Sequence, residues 1–491
     1  MPSIRTLVGF AMCGLAGSVL AQVEPERADG PIASYVGHRL IRVEIGSARE
    51  LQTLLALTDD VWTESIRMSG PIDVRVSPTQ LAAVASAGLK FRILINDLQA
   101  TVDAESALIR DLRAGDDAAW YTSYHNYADN KTYMQALAAA FPGLATYSVI
   151  GVSLQGREIF ALRITGPGST ASRPASIWWG GQHAREWLNV PQPEYHAEQL
   201  LTKYATDPHI KYLVDNHEFL FVPIMNPDGY DYTWTNDRFW RKNRRPNSNN
   251  PGSGCGTNFG VDLNRNWGFQ WGALNGSSGV CSSETYRGVA AFSEPETQVM
   301  RDFVLANPRI KLMMDWHTYG QLVLSPWGYA NVPVTPPGQA QIFQTLDTQL
   351  VAALRSGHNV AYTPGPVYTT LYPANGISTD WAWGDRGALG FTIELPGGGS
   401  GGFDPPPTFI TPTCEDTWAA FLFLANYLTP CYANCDLSTS PPTLNANDFQ
   451  CFLNAFASGL SSANCDGSTA SPTLTANDFQ CFLSVYAVGC P

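Results

Sequence analysis

The segment GGQHAREWLNVP sets His183 three residues ahead of Glu186, where an apolar run, SIWW, ends. Imidazole nitrogen and carboxylate oxygen are both good zinc ligands, and a spacing of three lets one short turn aim both at a single point. A catalytic zinc takes three protein ligands and keeps a fourth position for water. A third ligand must therefore come from another part of the chain. His317, in MMDWHTYGQ, also follows an apolar run and is the candidate. Residues at such strand ends line the ligand crevice of α/β sheets. Each residue also has a plainer reading. His-x-x-Glu occurs on helices that hold no metal, and a lone histidine after a strand is commonly a satisfied core residue. Glu394, in FTIEL, could close a strand with a salt bridge. Arg238, Arg241, Arg244 and Arg245, in DRFWRKNRR, could form a solvated basic face.

These residues need a scaffold, and the chain supplies the material for one. It has 491 residues, 44% hydrophobic and 15% charged, against roughly 25% charged in an average globular protein. Net charge is −13 and the isoelectric point about 5.0, which argues against nucleic acid as a partner because phosphate binding needs a basic face. SIWWGG, FLFVPIM, KLMMDWHT and LGFTIEL are continuous apolar runs, as in strands buried on both faces. Helical stretches alternate with them: NKTYMQALAAAF, VPQPEYHAEQLLTKYA, SEPETQVMRDFVLAN, QAQIFQTLDTQLVAALRSG and CEDTWAAFLFLANYL. Residues 120–429 are thus expected to form an α/β domain, a mixed and mostly parallel sheet with helices on both faces.

The flanks read differently. MPSIR followed by TLVGFAMCGLAGSVL has the form of an export signal, with a cut after Ala21. Cys13 lacks the small preceding residue that a lipid anchor would want, and no other apolar run reaches membrane length. The mature protein is expected to have no membrane span and to be secreted. In 22–113, HRLIRVEI and PIDVRVS alternate like half-buried strands, each is followed by a helical stretch, SARELQTLLAL and PTQLAAVASAG, and LKFRILIND adds a strand. The polar segment from 105 onward reads as a linker, with the joint at 114–119. The tail, 430–491, repeats at a period of 30 residues: NCDLSTSPPTLNANDFQCFL, then NCDGSTASPTLTANDFQCFL. Phe449, Phe452, Leu453 and Phe456 follow i, i+3, i+4, i+7, so each copy offers a short helix with one apolar face.

Taken in order, GGQHAREW, DRFWRKNRR, GVDLNRNW, DWHTYGQ, TTLYPANGISTDW and FTIEL resemble the motifs of zinc metallocarboxypeptidases of the carboxypeptidase A/B family. The resemblance implies zinc on His183, Glu186 and His317, the two-histidine, one-glutamate set that is also the standard worked example for carboxypeptidase A. It implies Glu394 as the general base and Arg241 as the oxyanion stabiliser. Asn264, Arg265 and Tyr372 would read the substrate's terminal carboxylate, and Arg185 would touch substrate farther from the cut. Asp262 would orient His183. The aligned pocket base is Gly328, Val367, Thr379 and Thr392, none of them charged, so apolar or aromatic C-terminal residues are the expected substrates. Asp380 matches a position shared by basic- and apolar-specific members and does not argue for basic ones. Residues 22–113 resemble the family's activation domain, a small α+β ferredoxin-like unit that keeps the enzyme latent until a protease cuts between about Arg110 and Trp120.

Cys255 and Cys281 flank the Asn-Arg segment and are expected to pair. Once the leader is removed nine cysteines remain, an odd number, so at least one thiol is left over or pairs between chains. The tail resembles dockerin-like modules and implies an anchoring partner, at a cell surface for instance. Asn434, Asp436, Ser438 and Asp448 place oxygens for calcium along one loop, and Asn464, Asp466, Ser468 and Asp478 repeat them. The loop is longer than the standard one and lacks its glycine. Cys435, Cys451, Cys465 and Cys481 could staple the loops instead of calcium or beside it. Two other functions stay open on the sequence: a peptidoglycan-stem hydrolase on the same scaffold, and a binding protein with an inactive peptidase fold.

Overall fold

The computed structural model describes residues 32–58, 60–63, 69–113, 119–171, 173–247, 255, 258–398, 402–429, 433–436, 444–460, 463–465 and 472–488. The expected leader and its cut, residues 114–118 of the linker, and Ser438, Asp466 and Ser468 lie outside them. The chain divides into two compact units, Met1–Ala420 and Phe421–Pro491.

In the first unit, β1 (Arg39–Ile45), β2 (Asp60–Val61), β3 (Gly70–Val76) and β4 (Phe91–Ile95) form an antiparallel sheet in the order β2-β3-β1-β4. The alternation in RLIRVEI sends Ile41, Val43 and Ile45 to one face. There they meet Val74 and Val76 of β3 and Leu54 and Val84 of the helices Ala48–Leu57 and Pro78–Ser86. Ser47 and Ser77 start those helices by accepting the amides of Glu50 and Gln80, and Gln80 completes a capping box. The polar segment expected to be linker from 105 is helical as far as Arg113, within the helix Leu98–Arg113. Its charges hid a sparse apolar stripe: Leu98 and Ile109 are buried and Val102 packs beside them.

The larger sheet contains β5 (Ala145–Val152), β6 (Glu158–Ile164), β7 (Ala175–Trp179), β8 (Glu218–Val222), β9 (Ile310–Thr318), β10 (Leu322–Ser325), β11 (Thr363–Pro366) and β12 (Leu389–Leu395). Their order is β11-β10-β12-β9-β7-β8-β6-β5. The four central strands are parallel, and antiparallel pairs β10–β12, β6–β8 and β5–β6 extend both sides. The four continuous apolar runs are these central strands, and every residue of β7, β8 and β12 is buried. The outer strands, short or half polar, gave no such run. The expected helices are present as Tyr127–Ala140, Pro191–Lys203, Pro295–Ala306, Gln339–Arg355 and Ile410–Leu428. Two more, Pro208–Asn216 and Pro227–Thr235, start at capping Asp207 and Asn226.

In the second unit the helices Ala446–Ala457 and Ala476–Val488 bring their phenylalanines together, and Phe452 stacks on Phe482 with ring centroids 4.1 Å apart. Disulfides join Cys435 to Cys451 and Cys465 to Cys481. Among the described residues no helix is long and apolar enough to cross a membrane.

Candidate active site

The turn after β7 is made by two glycines. A Cβ on Gly180 would lie 2.7 Å from the Asn189 carbonyl oxygen, and Gly181 has φ +62°. Neither position accepts an ordinary side chain. The chain then runs through His183 and Glu186 before the helix Pro191–Lys203 begins. Asn189 holds the turn from inside: its Oδ1 accepts the Gly181 amide (2.8 Å) and its Nδ2 donates to Glu186 Oε2 (3.3 Å).

His317 lies near the end of β9, one strand away. Its Nδ1 is 3.0 Å from Glu186 Oε2, and His183 Nδ1 is 2.8 Å from Glu186 Oε1. One atom from each of these three residues falls within 4.8 Å of the others, and all three side chains are buried. The outer ring nitrogens face carboxylates as well: His183 Nε2 is hydrogen-bonded to Asp262 Oδ1 at 3.0 Å, and His317 Nε2 lies 3.0 Å from Asp315 Oδ2 with Asn264 Nδ2 3.4 Å away. Both rings therefore turn Nδ1 inward, toward one carboxylate. Burial works against charge on Glu186, but the two imidazoles outweigh it and hold its carboxyl well below the ordinary range. Burial is likewise outweighed at Asp262, by Arg241 and His183, and at His317, by Asp315 and Glu186, which raise its pKa. Such an arrangement is satisfied by protons on the rings or by a cation among them, and two nitrogens plus one carboxylate suit zinc.

The other residues singled out in the sequence surround this point. Glu394 pairs in register with His317 on the adjacent parallel strand β12. Arg241 donates to Asp262 Oδ2 through Nε (3.3 Å) and Nη2 (3.1 Å), with Nη1 3.7 Å from Glu186. Asp262 caps the short turn Leu263–Arg265 by accepting the Asn264 amide, which presents Asn264 and Arg265 side by side. Arg265 Nη2 donates to the Tyr372 hydroxyl at 2.6 Å. A small cavity next to His183, His317 and Glu394 is lined by Leu324, Val367, Leu371, Ala374, Ile377 and Thr392. Thr392 and Thr379 hydrogen-bond each other at 2.6 Å. Asp380 lies beyond them, accepting the amides of Gly328 and Tyr329, and burial pushes its carboxyl up to about 7.

Arg185 lines the cleft, and in the intact chain the activation domain covers it, leaving it 1% exposed. Asp60 of β2 receives its Nη1 at 2.9 Å, the Val61 carbonyl its Nη2 at 3.2 Å, and its guanidinium stacks on Phe403. The arginines after it are not a solvated face. Arg238 is buried against Glu105 (2.6 Å) and the Trp187 ring, Arg244 lies over Tyr232, and Arg245 pairs with Glu294 (2.5 Å). Their charge patterning looked solvent-like because the aromatic and acidic partners are distant in sequence. Cys255 and Cys281 are bridged, and Cys414 is a buried free thiol.

Sequence reasoning did not single out Asn189, Asp315, Ser378 or Asp60. Asp315 was within reach: in a strand, positions two apart share a face, so Asp-x-His after an apolar run puts a carboxylate beside the imidazole.

The family model for zinc carboxypeptidase matches residues 131–420, and that for the carboxypeptidase activation peptide matches 41–105. Metallocarboxypeptidase A of Arthroderma otae is 35% identical over 428 residues, covering 85% of this chain and 97% of that protein. Carboxypeptidase A1 of Rattus norvegicus is 34% identical over 408 residues, covering 80% and 94%. The crystal structure of a carboxypeptidase A from Helicoverpa armigera matches with a TM-score of 0.71 at 28% identity, over 80% of this chain and 98% of that one. Motifs, fold, donor set and full-length relatives agree, and the chain belongs to the zinc carboxypeptidase family, with an activation peptide ahead of its metallopeptidase domain.

Proposed function

We propose that this chain removes apolar or aromatic residues from peptide C-termini, with Glu394 as general base. The observation that carries the reading is the junction of three groups of residues: the donor set His183, Glu186 and His317; Glu394 beside it; and a cavity bordered by Asn264, Arg265 and Tyr372 whose remaining wall, Leu324, Val367, Leu371, Ala374, Ile377 and Thr392, carries no charge. Zinc held by the three donors would acidify a water molecule and polarise the scissile carbonyl. The residues do the rest. Glu394 takes a proton from the attacking water on its carboxylate and delivers it to the leaving amine. Arg241, fixed by Asp262, presents a permanent positive charge to the developing oxyanion. The Arg265 guanidinium meets the substrate's terminal carboxylate as a fork, aided by Asn264, and Tyr372 donates a hydrogen bond from above. The substrate's last side chain enters the cavity, where Thr379 and Thr392 spend their hydroxyls on each other. Release of Phe, but not Arg, from a blocked dipeptide, abolished by a chelator and restored by zinc, is the expected result. Faster release of Arg would sink the specificity reading.

The domain boundaries follow from the same reading: leader 1–21, activation domain 22–113, linker 114–119, catalytic domain 120–429 and tail 430–491. Secretion is supported by the disulfides, which persist in oxidising compartments. A protease acting at the linker would activate the enzyme. The tail acts as an anchoring module. Its calcium reading competes with what its acids already do: Asp448 accepts the amides of Asp436 and Asn445, and Asp478 accepts that of Thr475. An isolated tail that melts at the same temperature with calcium and with a calcium chelator would assign its loops to caps and disulfides alone.

A further inference from the structure

We propose that Asp315 and Ser378 are positioning residues that hold His317 in its metal-binding orientation and tie it to Asn264. The inference rests on the zinc reading of His183, Glu186 and His317. Asp315 and His317 are two apart on β9 and share a face. Asp315 Oδ2 lies 3.0 Å from His317 Nε2 and also accepts the Ser378 hydroxyl at 2.7 Å. Ser378 is the first residue of the helix Ser378–Gly384, and its backbone amide donates to Asn264 Oδ1 at 3.0 Å. One serine thus joins the aspartate behind a metal histidine to a residue placed to read the substrate carboxylate.

The position of Asp315 argues that this arrangement is used. It lies inside the sheet, beside Trp179 of β7 and Thr392 of β12, and is 0% exposed. Its Oδ1 has no hydrogen-bond partner among the described residues. A carboxylate here is expensive, and an apolar residue of similar volume would serve stability better. What it supplies is a fixed negative charge 3.0 Å from Nε2, beside Asn264 Nδ2 at 3.4 Å from the same nitrogen; that charge favours the proton on Nε2 and leaves Nδ1 free for a cation. His183 has the equivalent support from Asp262, which is shared with Arg241. Each imidazole therefore has its own carboxylate, and each carboxylate is shared with a group leading to the substrate.

The test is zinc affinity of the full chain, measured by competition with a fluorescent chelator, alongside the melting temperature of the metal-free protein. Loss of such a partner typically weakens metal binding about 10–100-fold. Asp315→Asn is expected to weaken zinc in that range, and Ser378→Ala several-fold, with the metal-free melting temperature of Ser378→Ala unchanged. At saturating zinc, Ser378→Ala is expected to keep the wild-type KM, because the backbone bond to Asn264 survives. Zinc affinities of both variants within twofold of wild type would overturn the proposal. If Asp315→Asn does not fold, Ser378→Ala decides, since it removes one hydroxyl. A wild-type protein that takes up no zinc would instead refute the metal reading beneath it.

Discussion

Arg241 and Asp262 show how few residues set the electrostatics of the site. Asp262 orients His183 with one oxygen and anchors Arg241 with the other. Asp262→Asn should therefore lower kcat/KM and zinc affinity together, a paired loss that separates it from a substrate-contact variant. On the proposed reading, Glu394→Gln removes the general base and leaves the proposed metal donors His183, Glu186 and His317 alone. It should cut kcat by about 10²–10⁴-fold, the usual contribution of general base catalysis, with one zinc per chain retained. A Glu394→Gln enzyme within tenfold of wild type would remove Glu394 from that role.

At the scale of elements, β2 of the activation domain and the helix Pro191–Lys203 bear most directly on the site. β2 is two residues long, yet its Asp60 is held by Arg75 (2.5 Å) and takes up Arg185. Trp62, just after it, packs on Phe239 and Phe403. Asp60→Ala should leave Arg185 free in the intact chain and raise its basal activity on a small substrate several-fold, toward that of the clipped enzyme. No change would mean that latency rests on other contacts. The helix Pro191–Lys203, which follows the turn carrying His183 and Glu186, contains Glu194, whose Oε2 accepts the Trp120 indole N–H at 2.9 Å. Burial pushes its carboxyl up to about 8. The folded protein thus keeps this proton where the unfolded chain, near 4.5, has lost it. Glu194 therefore costs stability progressively as pH rises from about 4.5 to 8, with the full cost above that. Glu194→Gln should flatten that decline and raise the melting temperature most at pH 8. An unchanged pH dependence would show that Glu194 ionises freely in the fold.

At the scale of the whole molecule, the residues of the site come from six separate strand ends and loops, and all of them fall within the unit Met1–Ala420. The second unit has its own aromatic core and its own disulfides. A chain ending at Thr429, clipped to remove its activation domain, should hydrolyse the blocked dipeptide within twofold of the likewise clipped chain that keeps its tail. A large loss would make the tail part of the catalytic body.

The sequence by itself determined the candidate site residues and the central strands. His183, Glu186, His317 and Glu394 sit at the ends of continuous apolar runs, and a strand buried on both faces announces itself by composition alone. It also announced the repeat and the pairing of Cys255 with Cys281. Tertiary structure decided what depends on partners far apart in the chain. The arginines of 238–245 looked like a solvated face until Glu105, Trp187, Tyr232 and Glu294 closed on them. Arg185 reads as facing the cleft, and only the fold adds Asp60, 125 positions earlier, as its partner in the intact chain. Asp315 and Ser378 meet only because β9 and the helix Ser378–Gly384 pack together. Local pattern reports whether a residue is apolar or charged. Whether a charge is solvated, paired or aimed at a neighbour is fixed by which strands lie side by side, and the folded sheet alone sets that.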